Sequence, residues 1–240
     1  MIEQSGSMIK PVVVPIGRGA GWLFDGFRYF KQSMLHWISV TTIFTILILV
    51  MVVLPIVIII LPPLVGGLMT GCKEQDIGGG QFNTGHMFTG LKTHPWPLLS
   101  IGLIHFFGLV IINLICWFIG SYYFDWAELT QAINTLQIDI LIANINALLL
   151  INLIGLALYL PLIMAVWFAP ALVVLNDVSP IDAIKLSFTG CLLNVLPFLL
   201  YGVVGLVLSI LALIPFGLGL FILCPMITAS IYISWKEIYQ

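Results

Sequence analysis

Three groups of side chains have the types and spacing that could support chemistry. The densest follows Asn176: Asp177, Asp182, Lys185, Ser187 and Asn194 lie within eighteen residues. Ser179-Pro180-Ile181-Asp182 reads as a helix start, with a capping serine, proline at the first position and an acid three residues after the cap. Capping and corner formation therefore account for most of this group, and a lipid-headgroup or partner-docking site is the functional alternative. The second group, Cys72, Glu74, Asp76, His86 and His94, offers mixed sulfur, oxygen and nitrogen donors in a single loop. Its spacing matches no recognised metal site, so no metal is expected there. The third group is polar but sits inside apolar runs: His105, Asn113, Asn144, Asn146 and Asn152. Asn144 and Asn152, eight residues apart, share one broad helical face. Such amides either hold helices together by hydrogen bonds or line a path for a polar substrate. His105 fits a hydrogen-bonded packing role. No Ser-His-Asp spacing, phosphate loop or HExxH helix occurs, so the sequence predicts no catalytic residue, no enzyme and no cofactor.

The elements that must position these residues follow from composition. Apolar residues make up 61% of the 240 and charged residues 8%, with a mean hydropathy of +1.17. A soluble domain carries about 25% charged residues, so this chain has too little polar surface to face water and must face lipid. A net charge of −2 with no basic run excludes a nucleic-acid footprint. The four scattered cysteines, Cys72, Cys116, Cys191 and Cys224, read as reduced thiols.

Taken in order, the sequence predicts a short disordered arm at 1–17 and then a helix. In GAGWLFDGFRYFKQSM, Leu23, Phe27, Phe30 and Met34 recur at helical spacing, while Asp25, Arg28, Lys31 and Gln32 take the other face. This reads as an interfacial amphipathic helix. Residues 1–36 thus form an N-terminal arm and surface helix, and 37–240 a single six-span domain. Residues 37–72 carry no charge and would make about 54 Å of helix against an apolar core of about 30 Å. Pro55 and Pro62-Pro63 divide the stretch into two spans, about 37–54 and 57–73. Gly67 and Gly71 form a close-packing surface on the second. A glycine-rich loop follows, with Asn83 as a cap and Met87, Phe88 and Leu91 on a short surface helix. A third span covers about 96–122. The fourth, 138–175, is long and kinked, with Pro161 and Pro170 as its breaks. Two closing spans cover about 192–213 and 216–235 around a turn at Pro215.

With the N-terminus inside, all eight cations (Lys10, Arg18, Arg28, Lys31, Lys73, Lys92, Lys185 and Lys236) fall on the inner side, as the positive-inside rule requires. Both termini are therefore expected in the cytoplasm of a bacterial cell, with the chain in its inner membrane.

The chain also repeats itself. Phe88-Thr89-Gly90 returns one hundred residues later as Phe188-Thr189-Gly190, and Pro97, Leu99 and Gly102 match Pro197, Leu199 and Gly202. The two copies, about 57–122 and 138–213, both enter from the same side of the membrane, so they form a parallel repeat. The expected fold class is all-α, a polytopic membrane protein of about six spans.

Phe168-Ala169-Pro170, Asp177, Ala183, Ser187 and Asn194, together with Gly21-Trp22 through Phe30, resemble a bacterial inner-membrane family near the YciC-like proteins and the membrane domain of glycerophosphoryl diester phosphodiesterases. The resemblance covers nearly the whole chain and implies a six-span fold with no established activity. No soluble phosphodiesterase domain accompanies it. The expected role is non-enzymatic: an accessory, assembly or lipid-interacting component. The alternative is a small-molecule or lipid transporter with its site between the repeat units. Expected partners are membrane lipid and either other membrane-protein subunits or further copies of the chain.

Overall fold

The computed structural model describes residues 9–78 and 81–240. The first eight residues of the arm, and Gly79 and Gly80 of the glycine turn, lie outside the described residues. Among those described, the regular structure is entirely helical. Six stretches among the described residues are long and apolar enough to cross a membrane: Met34–Val53, Pro55–Asp76, Pro95–Tyr123, Ile145–Asn176, Val195–Leu213 and Leu220–Tyr239. The chain is an all-α polytopic membrane protein.

Helix α1 (Arg18–Gln32) leads into α2 (Met34–Val53), and Leu54 breaks the chain before a 3-10 turn at Pro55–Ile60 and α3 (Leu61–Asp76). The charge-free run 37–72 is two spans folded back on each other. Gln75 at the end of α3 donates to Gln32 Oε1 (2.6 Å), while His36 near the start of α2 pairs with Thr84 (3.2 Å). Trp37 stacks on Phe82 at 4.0 Å between ring centroids. Asn83 caps the next turn as its sequence suggests, accepting from Gly85 N at 2.8 Å. Met87, expected on a surface helix, is instead buried. Gly67 lies against the His86 and Met87 carbonyls, so the small-residue surface on α3 draws this loop into the core. The short α4 (Thr89–Thr93) then leads to α5 (Pro95–Tyr123).

The long fourth stretch breaks just before one of its two expected prolines, Pro170, and at one place that has none, Asn144. It comprises α7 (Ile138–Ala143), α8 (Ile145–Trp167) and α9 (Ala169–Asn176), preceded by α6 (Trp126–Asn134). Pro161 stays inside α8, whereas the breaks fall at Asn144 and Phe168. Pro170 sits in the first turn of α9, where its missing N–H costs nothing. At Phe168 the break is repaired from a distance. The buried Ser187 hydroxyl accepts from Phe168 N (2.9 Å) and donates to the Met164 carbonyl (2.7 Å). Asp177 ends α9 in the left-handed region, at φ 54°, which Asp tolerates better than most residues. Helices α10 (Pro180–Leu193), α11 (Val195–Leu213) and α12 (Leu220–Tyr239) complete the chain.

The helix predicted from the amphipathic pattern is present as α1, but protein covers only part of the expected stripe: Leu23 and Phe30 are buried, Phe27 is half-buried, and Met34 begins α2 and is exposed. Gly19, Trp22, Leu23, Gly26, Tyr29 and Phe30 are buried, packed on α11 and α12. A Cβ on Gly19 would run into the Pro197 carbonyl, and one on Gly26 into the Met226 carbonyl. The two glycines let α1 approach the backbones of both closing spans. Phe24, by contrast, is exposed.

The fold divides into two compact units, Met1–Leu103 with Met164–Gln240, and Ile104–Ile163. The first holds the buried aromatic core around Trp22, Trp37, Phe82, Phe168 and Trp235. The second is built on an antiparallel pairing of α5 with α8, in which Gly108 meets Leu162 and Cys116 meets Ile151.

Candidate functional site

The best-built polar assembly lies in the first unit, around the last two turns of α12. Glu237 receives the Arg18 guanidinium in a forked contact, Nε donating to Oε2 at 2.9 Å and Nη2 to Oε1. Arg18 also reaches Asp25 Oδ2 at 2.8 Å, and the buried Trp22 indole donates to Glu237 Oε2 at 2.8 Å. Hydrogen bonding to Glu237, then to Asp25, raises the Arg18 pKa above its already high ordinary value. One residue earlier, Lys236 pairs with Asp76. The same carboxylate accepts from the Tyr29 hydroxyl (3.0 Å) and the Tyr232 hydroxyl (3.1 Å). Burial, reinforced by the neighbouring Asp76 charge, pushes the Tyr29 phenol well above its usual range. Next to it, the buried Trp235 indole donates to Asn176 Oδ1 at 2.9 Å. At the end of the helix the Tyr239 hydroxyl donates to the Leu186 carbonyl (2.9 Å).

Asp76 and Asn176 stand one hundred residues apart, in the same register as the Phe-Thr-Gly pair. Each ends a span, α3 in one copy and α9 in the other, and each holds α12. The register continues at His94 and Asn194, which break the chain before α5 and α11 with similar backbone angles (φ −134°, ψ 52° and φ −114°, ψ 31°). The repeat residues nevertheless meet different neighbours. Gly90 lies against the Pro63 carbonyl and Gly190 under the Tyr239 hydroxyl; Gly102 touches the Ile59 carbonyl, while Gly202 has open space beside it. Thr89 and Thr189 each serve local helix structure, through Thr93 donating to the Thr89 carbonyl and Thr189 donating to the Lys185 carbonyl. Pro97 is half-buried and Pro197 buried, whereas Phe88 and Phe188 are partly exposed.

Asn194, fully buried, gathers the N-terminal arm. Its amide donates to the Val12 carbonyl (3.0 Å) and the Gly190 carbonyl (2.9 Å), and its oxygen accepts from Val14 N (2.9 Å). Val12 N donates in turn to the Ile238 carbonyl at 2.9 Å. Residues 9–17, expected to be disordered, are laid along the protein. Of the rest of the predicted corner, Ser187 is buried against Phe168 and Met164, while Asp177, Asp182 and Lys185 are exposed. Ser179 accepts from Asp182 N (3.3 Å) and donates to its carboxylate (2.7 Å). Lys185 lies 3.8 Å from Asp182. Asp177 stands 3.4 Å from His94 Nε2 with 93% of its side chain exposed.

The loop donors are dispersed among separate partners: Asp76 in the cluster above, Glu74 with His86 (2.9 Å), His94 with Asp177, and Cys72 buried. Burial also pushes the Cys191 thiol up to about 12.

The second unit holds an open groove of about 390 Å³ between α5 and α8, lined by Asn113, Cys116, Asn152, Gly155 and Tyr159 among apolar side chains. Asn113 donates to the Leu109 carbonyl (2.8 Å) and Asn152 to the Leu148 carbonyl (2.8 Å), each on its own helix. Asn144 does the same with the Ile140 carbonyl (2.9 Å), but it sits at the break before α8, away from the groove lining. The helical face expected to carry both Asn144 and Asn152 is therefore interrupted. His105 is buried, its ring 6.3 Å from that of Tyr159.

The long-range partners Arg18, Trp22, Tyr29 and Glu237 were not singled out from the sequence. A usable signal was present in Gly19 and Gly26, which flank Trp22 at seven-residue spacing like any small-residue packing face.

The chain is similar to a probable inner membrane protein of Burkholderia thailandensis, 27% identical over 245 residues that span 92% of this chain and 89% of the relative. No family model matches the sequence. No solved structure matches it.

Proposed function

We propose that this chain is a non-enzymatic component of a bacterial inner membrane, with both termini in the cytoplasm, acting in assembly or lipid interaction through its helices and its charged end. The observation that carries this reading is the engagement of the reactive side-chain types around α12. Glu237 and Asp76 are occupied by Arg18, Trp22, Tyr29, Tyr232 and Lys236. A carboxylate committed to that many donors is a structural tie rather than a general base. The similarity to the Burkholderia inner membrane protein and the resemblance to the YciC-like family support the membrane, and the sidedness of the cations supports the orientation. The exposed corner at Asp177, Asp182 and Lys185 is the docking surface of this reading.

The experiment is purification of the full chain in native polymer nanodiscs, with quantitative mass spectrometry of its protein and lipid companions. The proposal expects companions in fixed ratio, reduced severalfold by Asp177→Ala with Lys185→Ala. Companions in bulk-membrane proportion for both forms would overturn it.

The groove lined by Asn113 and Asn152 favours a second reading, a transporter with a polar path between the two repeat units. Labelling Cys116 with a membrane-impermeant maleimide, in a chain whose other cysteines are alanine, separates the two. Rapid labelling supports a water-filled path, and protection from label contradicts it.

A further inference from the structure

We infer that the α5–α8 groove is the contact surface for a second copy of this chain, closed by hydrogen bonds between the asparagine amides of the two copies. The inference deepens the assembly reading by naming one partner and its surface.

The argument begins with depth. At 1.5 Å per residue, Asn113 lies about 15 Å from the Tyr123 end of α5 and Asn152 about 10 Å from the Ile145 start of α8, inside an apolar core of about 30 Å. Each amide uses one N–H on the carbonyl four residues before it. Among the described residues, the second N–H and the carbonyl oxygen of each have no partner. The Tyr159 hydroxyl, on the same groove, is likewise without one. Acyl chains offer neither donor nor acceptor, so a lipid-filled groove would leave these groups unpaired at full cost. The occupant must therefore carry hydrogen-bonding groups at the same depth.

A second copy meets that requirement by symmetry. Two copies inserted the same way are related by a two-fold axis along the membrane normal, which places Asn113 and Asn152 of both at matching depths. An amide is among the few side chains that satisfy their own kind, because it is donor and acceptor at once. Gly155 and Cys116 keep the floor of the groove low, so a neighbouring helix can approach closely.

The test is copy number by single-molecule photobleaching of the labelled full chain in liposomes, across a series of protein-to-lipid ratios. Wild type should show two-step bleaching, and Asn113→Leu with Asn152→Leu should weaken association about tenfold or more. Asn144→Leu, outside the groove, should leave it unchanged. Asn113→Gln with Asn152→Gln keeps the amides, so retained dimers there and loss in the leucine form would show that the effect is not misfolding. Single-step bleaching of wild type at every ratio would overturn the inference. Two-step bleaching that survives the leucine substitutions would overturn it too, by placing the contact elsewhere. Copy number speaks only to this surface, and nanodisc companions only to the docking corner, so the two proposals fail separately.

Discussion

The charged end around α12 and the α5–α8 groove treat polar groups in opposite ways. At the first, Glu237, Asp76, Asn176 and Asn194 each bind residues far away in sequence, and Asn194 uses both amide hydrogens and its oxygen. At the second, Asn113 and Asn152 bond only within their own helices. Satisfied polar groups define a single arrangement of the chain, while half-satisfied ones at membrane depth call for something outside it. Sequence composition alone ranks these residues alike. Their partners separate them: the first set is closed within the chain, and the second carries the proposed association.

The contrast can be broken most forcefully through α1. Gly26→Leu would drive a side chain into the Met226 carbonyl. It should cost about 3 kcal/mol in thermal unfolding of the detergent-solubilised protein, at the upper end for overpacking. An unchanged melting temperature would mean that α1 is not seated on α12. Next in size, Asn194→Leu deletes three hydrogen bonds and should cost about 2–3 kcal/mol. It should also release residues 9–17, so that a protease cuts the arm in the variant and spares it in wild type.

How much of this was legible beforehand depends on the range of each interaction. Local chemistry could be read directly. The charge-free length of 37–72 required two spans, Ser179 capped α10, and Asn83 capped its turn. The break before Pro170 was legible, although it falls two residues earlier at Phe168. The break at Asn144 was not, nor was the bond that Ser187, nineteen residues on, accepts from Phe168 N. The α12 cluster joins residues up to 219 apart. No periodicity reports such a pairing, although the hundred-residue register that links Phe88 to Phe188 also links Asp76 to Asn176. For the groove, the sequence marked Asn152 and weighed Asn113, but it joined Asn152 to Asn144 on one face that the helix break interrupts.

A smaller effect sharpens the role of the Asp76 cluster. The Tyr29 phenol titrates higher in the folded chain than its ordinary value of 10.0. A raised folded-state value gives stability that is present below pH 10 and lost as pH climbs through the alkaline range. Helical content followed from pH 8 upward should therefore fall more steeply in wild type than in Tyr29→Phe. Smallest of all, Lys185→Gln removes an exposed ion pair with Asp182 and should shift stability by less than about 0.5 kcal/mol. A larger loss would move that corner from the exposed side of the comparison to the closed one.

The most direct test reads stability and association together, by fluorescence-detected size exclusion after a series of heating steps. Asn194→Leu should melt well below wild type while eluting at the wild-type dimer position before heating. Asn113→Leu with Asn152→Leu should elute as a monomer and keep the melting profile of its own unit fold. If the groove substitutions leave the elution position unchanged, or Asn194→Leu shifts elution without lowering the melting temperature, the division between a closed architectural end and an open associating groove is wrong.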